Sequence, residues 1–364
     1  MKKNRLMAAV LALMLVLTAC AGVPEETTSD PVQTTGASVE TTVPAETTAP
    51  VETTVPAETT APMETTEPPA LAETNALRQF VLPPNTSGDG EFSNFVYDSP
   101  YSRDQIKSIT IVDTLADAPE ETWDASEARN GAVLCWVEPN GELYDLYIGA
   151  EGGVWAGSSA RNMFRGYTNA ERIDFGHAFY TEDAEDMYGM FLSCASLREL
   201  DLSHFDTSWV LTMECMFAGC HALERVEFGD FYTGITERMD HMFDGCRSLT
   251  ALDLSGFDTA SVNNMACMFN NCESLTSLDL SSFYTSNLTM MSSMFAGCRS
   301  LTELDVRNFD TSKVMDTSYL FMDCESLTEL ELSHFDMSSV SGDYCTYKMF
   351  HNCPAGSEWK HLQK

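Results

Sequence analysis

Residues 197–220 read LRELDLSHFDTSWVLTMECMFAGC, and variants of this pattern recur down the second half of the chain. Cys194, Cys220, Cys246, Cys272, Cys298 and Cys324 follow one another in steps of 26 residues. Met-Phe keeps the same beat at Met190-Phe191, Met216-Phe217, Met242-Phe243, Met268-Phe269 and Met294-Phe295. A fixed period of this length implies stacked supersecondary units, each too small to bury its own apolar face. The result is a solenoid with a continuous core and one long open face, an architecture suited to binding more than to catalysis.

Within the unit, Leu200 and Leu202 alternate with Glu199, Asp201 and Ser203, the period of a strand with residues 200 and 202 inward. Equivalent inward pairs are Val226 and Phe228, Leu252 and Leu254, Leu278 and Leu280, Leu304 and Val306, and Leu330 and Leu332. Phe205-Asp206-Thr207-Ser208 then reads as a turn that caps a helix start. Val210, Met213, Met216, Phe217 and Cys220 fall on one face of a short helix. A degenerate unit precedes these (Met163-Phe164, Tyr167, Ile173, Phe179-Tyr180), and Met349-Phe350 with Cys353 closes the array. The expected fold class is α/β: seven parallel strands from Ile173 to Leu332, short helical arms, and a small β-rich cap in front.

The consensus LxxLDLSxFDTSxVxxMxxMFxxCxSL resembles that of BspA-like leucine-rich repeat surface proteins, in their 26-residue, lipoprotein-associated form. The resemblance covers residues 161–353, and the segment before it is similar to that family's N-terminal region. It implies a parallel β/α horseshoe on a cell surface, some members binding host or neighbouring-cell proteins, with the ligand unspecified.

Residues 1–20 read as an address. Lys2, Lys3 and Arg5 precede an apolar run, residues 6–17, that is too short to span a bilayer as a helix. The run ends in Leu17-Thr18-Ala19-Cys20, which resembles a bacterial lipobox and implies diacylation of Cys20; two acyl chains give a stable anchor where one does not. An ordinary secretion signal cleaved near Ala19 is the plainer alternative. Residues 21–72 hold no Lys, Arg or aromatic residue, and VETTVPAETTAP at 39–50 recurs unchanged at 51–62. Such Thr/Pro/Glu-rich sequence cannot build a core. As extended polyproline-like chain it would form a stalk of up to about 160 Å.

Residues 73–160 read as a cap over the first coil. Residues 106–112 (IKSITIV) look like a strand, and two further β-rich runs flank Pro139-Asn140-Gly141, a hairpin signal. Residues 118–123 are expected to carry a short helix. A surface enzyme with its site in this block, around Cys135, is the alternative, with the repeats as targeting module; a purely structural coat is another. Residues 354–364 are assigned as a C-terminal tail.

The formal charge of −35 argues against nucleic acid and anionic lipid as ligands. No Cys-x-x-Cys pair, phosphate loop, nucleophile elbow or His-Glu-x-x-His occurs. No catalytic residue, metal site or cofactor is assigned, and the Cys rows are expected to be buried thiols. The candidate partner-binding face is the outward strand row Asp201, Glu227, Asp253, Asp279, Asp305 and Glu331, with Glu199, Glu303 and Glu329 beside it. Adjacent carboxylates about 5 Å apart repel by only about 1 kcal/mol in water, so such a stripe is tolerable. It would suit a basic partner or attract divalent cations weakly. Position 204 and its equivalents (His204, Asp230, Gly256, Ser282, Asn308, His334) vary, as exposed specificity positions would. The expected protein is non-enzymatic, lipid-anchored on the extracellular face of a bacterial envelope, touching the membrane through its lipid alone and docking a protein or glycoprotein.

Overall fold

The computed structural model describes residues 82, 99–342 and 344–362, all within the unit Glu67–Lys364. The signal segment, Cys20 and the stalk lie outside the described residues. Strands β1 (Ile106–Val112), β2 (Trp123–Asp124), β3 (Leu134–Asn140) and β4 (Leu143–Gly149) come before the repeats, with β5 (Val154–Trp155) leading into them. The β3–β4 hairpin forms where expected, but its turn is Gly141-Glu142, since Asn140 pairs directly with Leu143. Gly141 has φ +70°, the left-handed first position that such two-residue turns require. The helix expected over 118–123 is absent: Trp123 and Asp124 instead pair with Cys135 and Leu134. Asp124 then accepts from the amides of Ser126 and Gly131 and shapes the following loop.

Repeat strands β6 (Arg172–Asp174), β8 (Glu199–Asp201) and β9 (Arg225–Glu227) continue this sheet, in the order β2-β3-β4-β1-β6-β8-β9. β1 pairs in parallel with β6, so the strands before the repeats and the first coils share one seven-stranded sheet. β10 (Ser277–Leu278) and β11 (Glu303–Leu304) form a second parallel pair, and β5 pairs with β7 (Phe179–Tyr180). Leu252 and Leu330 hold the same repeat position without forming ladders, and both are half-buried. Each repeat strand is only two or three residues long, with its central apolar residue inward and its flanks exposed. The fold is a leucine-rich repeat solenoid with a β-rich cap.

The arms are tight turns instead of helices; among the described residues every helix is a 3-10 turn (Arg103–Gln105, Pro354–Ser357 and Lys360–Leu362). Their hydrogen bonds give the reason. Met216, Ala218 and Cys220 N–H groups bond back three residues, to Met213, Cys215 and Phe217 carbonyls. The alternate N–H groups of Met213, Cys215, Phe217 and Gly219 cross to the next coil, to Arg238, Asp240, Met242 and Asp244 carbonyls. A helix would direct every N–H along its own axis. Here half of them tie coils together, and the chain turns back every three residues. That spacing leaves residues 210, 213, 216, 217 and 220 facing inward, which is why the arm mimics helical periodicity.

The geometry needs two left-handed residues per coil. Cys215 (φ 59°), His241 (57°), Cys267 (57°), Ser293 (56°) and Tyr319 (59°) form one such row, and Gly219 (74°), Gly245 (75°), Asn271 (56°) and Gly297 (74°) belong to the second. Non-glycine residues in this region cost about 1–3 kcal/mol each, and they persist because the crossing bonds on either side fix them.

Three side-chain ladders run through the stack. Phe191, Phe217, Phe243, Phe269, Phe295 and Phe321 are fully buried and stack nearly parallel, neighbouring ring centres 5.3–5.9 Å apart. Each ladder cysteine donates its thiol proton to a phenylalanine carbonyl of the preceding coil, Cys194 to Phe164 at 2.9 Å and Cys246 to Phe217 at 3.2 Å among them. These thiols are free, and burial pushes the Cys194 thiol up to about 12. Each buried turn threonine donates to the carbonyl of the next coil, as Thr207 does to Tyr232 at 2.7 Å and Thr233 to Asp258 at 2.8 Å. At the end of the array, Trp359 Nε1 donates to the Leu330 carbonyl at 2.8 Å and the Ala355 amide to Leu327. Residues assigned from sequence to a tail therefore cover the last coil.

Candidate docking surface

All nine carboxylate residues read from the sequence are exposed: Glu199, Asp201, Glu227, Asp253, Asp279, Glu303, Asp305, Glu329 and Glu331. Strand pairing registers Glu199 with Arg225, Asp201 with Glu227 and Ser277 with Glu303. Asp174 extends the central row by one coil, and its match to the consensus is masked in sequence by the degenerate first unit.

The central row also has a local task. The Oδ1 atoms of Asp201, Asp253 and Asp279 each accept from the backbone N–H two residues on, at 2.9–3.0 Å, and Asp305 and Glu331 do the same. These bonds end the strand and start the next turn, which explains an acidic residue at five of the six positions of the row without a partner. They also favour the charged form. Ser203 holds Asp201 low through its hydroxyl and amide, Ser255 and Ser281 hold Asp253 and Asp279 low through amide and hydroxyl, and Ser333 acts likewise on Glu331. The Arg307 guanidinium and amide bring Asp305 down to about 2.

Around the central acidic row the face is mixed in charge. At its N-terminal end, a concavity of about 650 Å³ is lined by Arg172, Arg198 and Arg225 together with carboxylates. Arg225 bridges Glu199 at 2.5 Å and Glu227 at 3.4 Å. At the C-terminal end, a concavity of about 920 Å³ has Glu303, Asp305, Glu329, Glu331 and Glu358 around a lone basic group, Arg307, itself 2.5 Å from Asp305. Charge is therefore graded along the sheet, mixed near the cap and acidic toward the end.

Position 204 is corrected by the structure. Ser282 Oγ donates to the Leu254 carbonyl, Asn308 Nδ2 to Leu280 and Phe283, and His334 Nε2 to Val306, all in the preceding coil. In these three coils the side chain is committed to the preceding coil, with different donors serving equivalent carbonyls. His204 is half-buried among Phe175, His177 and Phe205 rings, and desolvation lowers its pKa. Cys135 is fully buried in the sheet, and burial raises its thiol well above the ordinary value, which removes it as an accessible nucleophile. Among the described residues no group of three His, Cys, Asp or Glu could hold a metal ion, and no helix is long and apolar enough to cross a membrane.

No curated protein matches this sequence. Among solved structures, the chain is similar to a crystal structure of a TLR13–ssRNA13 complex at 18% identity and a TM-score of 0.31, covering 50% of this chain and 24% of that one. The chain thus spans about a quarter of the length of that protein. A family model described as "Mycoplasma protein of unknown function, DUF285" matches residues 158–277 and 237–358. These two matches span the whole repeat array and more than half of the chain, which therefore belongs to the DUF285 family.

Proposed function

We propose that this chain is a non-enzymatic bacterial surface lipoprotein of the BspA-like leucine-rich repeat kind, which docks a protein or glycoprotein on another cell through its strand face. Acyl chains on Cys20 hold it to the membrane, and the stalk over residues 21–72 raises the repeats above the surface. The observation that carries the docking reading is the placement of the nine carboxylates, in exposed rows at and beside the repeat strand positions. Rows spaced by about 4.8 Å present their charges without reorganisation. The acidic end selects a basic patch, and such steering acts mainly on association rate and weakens with salt.

Immobilised full-length protein should retain basic surface proteins of host or neighbouring cells, with retention falling as salt rises. Lysine at Glu303, Asp305, Glu329 and Glu331 should abolish it. Retention unchanged by that fourfold variant would remove the strand face as the contact. The anchor is tested separately: a palmitate analogue should label the wild type and not Cys20→Ser. Unchanged membrane retention of the unlabelled variant would defeat that part of the reading.

A further inference from the structure

A second surface, along the edge where each strand turns into its arm, has a regularity that the strand face lacks. The residue at this edge reads Tyr180, Asp206, Tyr232, Asp258, Tyr284, Asp310 in six successive coils, an alternation of phenol and carboxylate that ends at Asp336 in the last coil. Tyr232 and Tyr284 are 48% and 65% exposed, values at which a tyrosine contributes almost nothing to a core. Tyr180 is half-buried, its ring packed 4.4 Å from that of Trp155.

The backbone beneath this row is held rigidly. Thr233 Oγ1 donates to the Asp258 carbonyl and accepts from the Asp258 N–H, both at 2.8 Å. Thr259 does the same to Tyr284, and Thr285 to Asp310. Asp258, Tyr284 and Asp310 therefore leave from clamped positions, Asp206 and Tyr232 are held through their carbonyls by Thr181 and Thr207, and like groups recur at two coils, about 9.6 Å. Asp206, Asp258 and Asp310 each commit Oδ1 to the amide two residues on, at 2.9–3.0 Å, and direct no hydrogen bond to their neighbouring tyrosines.

From this row we infer a binding edge for a linear, neutral, β-linked polysaccharide, whose pyranose rings stack on Tyr180, Tyr232 and Tyr284 while its hydroxyls donate to Asp206, Asp258 and Asp310. A receptor with a translational period fits a ligand with the same period, and about 9.6 Å is on the order of the length of a β-1,4-linked disaccharide. A polyproline II helix, with three residues per turn and about 3.1 Å per residue, has a similar pitch. It offers carbonyl acceptors and few donors, so a row of carboxylates would repel it, whereas sugar hydroxyls supply the donors that carboxylates need. The net charge of −35 opposes sulfated or sialylated chains. Aromatic rings exposed on a rigid support provide contact area at low entropic cost.

The full-length protein is run through native gels containing xyloglucan, glucomannan or mixed-linkage β-glucan, with heparin and poly-L-proline in parallel. At least one neutral polysaccharide should retard the wild type, and heparin should not. Y232A/Y284A should lose roughly tenfold or more in affinity, and Y232F/Y284F should stay within about threefold, because stacking resides in the ring. Asp258→Asn tests the acceptor, with a loss expected from removing the charge. The fourfold lysine variant of the strand face should bind as the wild type does, which separates this edge from the docking surface. The proposal is overturned if no neutral polysaccharide retards the wild type, if the double alanine variant with an unchanged melting curve binds as well, or if poly-L-proline is the preferred ligand.

Discussion

Each coil has two sides, and they divide the work of the molecule between them. On the strand side, ladders run two or three residues and lapse at Leu252 and Leu330. On the arm side, four N–H groups per coil cross to the next, and the chain adopts strained left-handed positions to make that possible. Cohesion is concentrated on the arm side, and the side that displays charge is bound more lightly. Specificity can therefore drift on the strand side at little cost in stability.

Substitutions on the two sides sharpen this contrast. The largest effect is expected from Phe243→Ala, which opens the ring stack and should cost about 3–5 kcal/mol in urea unfolding, against about 1 kcal/mol for Leu252→Ala on the strand side. Equal losses would refute the asymmetry. Thr259→Val removes a hydroxyl that both donates to and accepts from Tyr284, leaving the N–H and C=O of that residue without this partner. A loss of about 1–3 kcal/mol is expected, measured in the same way. Gly219→Ala adds a Cβ whose nearest neighbour is 3.5 Å away, so its cost is left-handed strain alone, about 1 kcal/mol.

The smallest effect is expected from the strand-face carboxylates. The folded pKa values of Asp201, Asp253, Asp279, Asp305 and Glu331 are depressed, so their contribution is fully present above the ordinary carboxylate range and is lost as pH falls through the folded values, about 2 for Asp305. The melting temperature should fall only in that acid window, and Asp305→Asn should flatten the fall slightly. A change near neutral pH in that variant would mean that the residue holds more than its own turn.

The period and the inward rows of leucine, phenylalanine and cysteine were legible because burial repeats with the coil. The arms were misread because buried residues three and four apart are common to a helix and to a run of three-residue turns; only the destination of the N–H groups separates the two. The exposure of the nine face residues was legible from the strand alternation, but the bonds that Asp201, Asp253, Asp279, Asp305 and Glu331 accept from the amide two residues on were not foreseen, since an acidic residue at that position reads alike whether it faces solvent or caps a turn. At position 204, the exchange among Ser282, Asn308 and His334 looked like specificity because it hides a shared donor role. The threonine clamps and the thiol-to-carbonyl bonds left their signal in plain repetition, yet repetition alone does not distinguish packing from hydrogen bonding.

Since every coil hands its successor the same bonds, the smallest heritable edit that leaves no partner missing is a whole coil. Deleting residues 247–272 would keep all three ladders intact and shorten the protein by one step. It would also bring Tyr232 beside Tyr284 and break the alternation along the edge. Gain or loss of a single unit is thus nearly silent for folding but shifts the reading frame of that edge, whereas gain or loss in pairs preserves it.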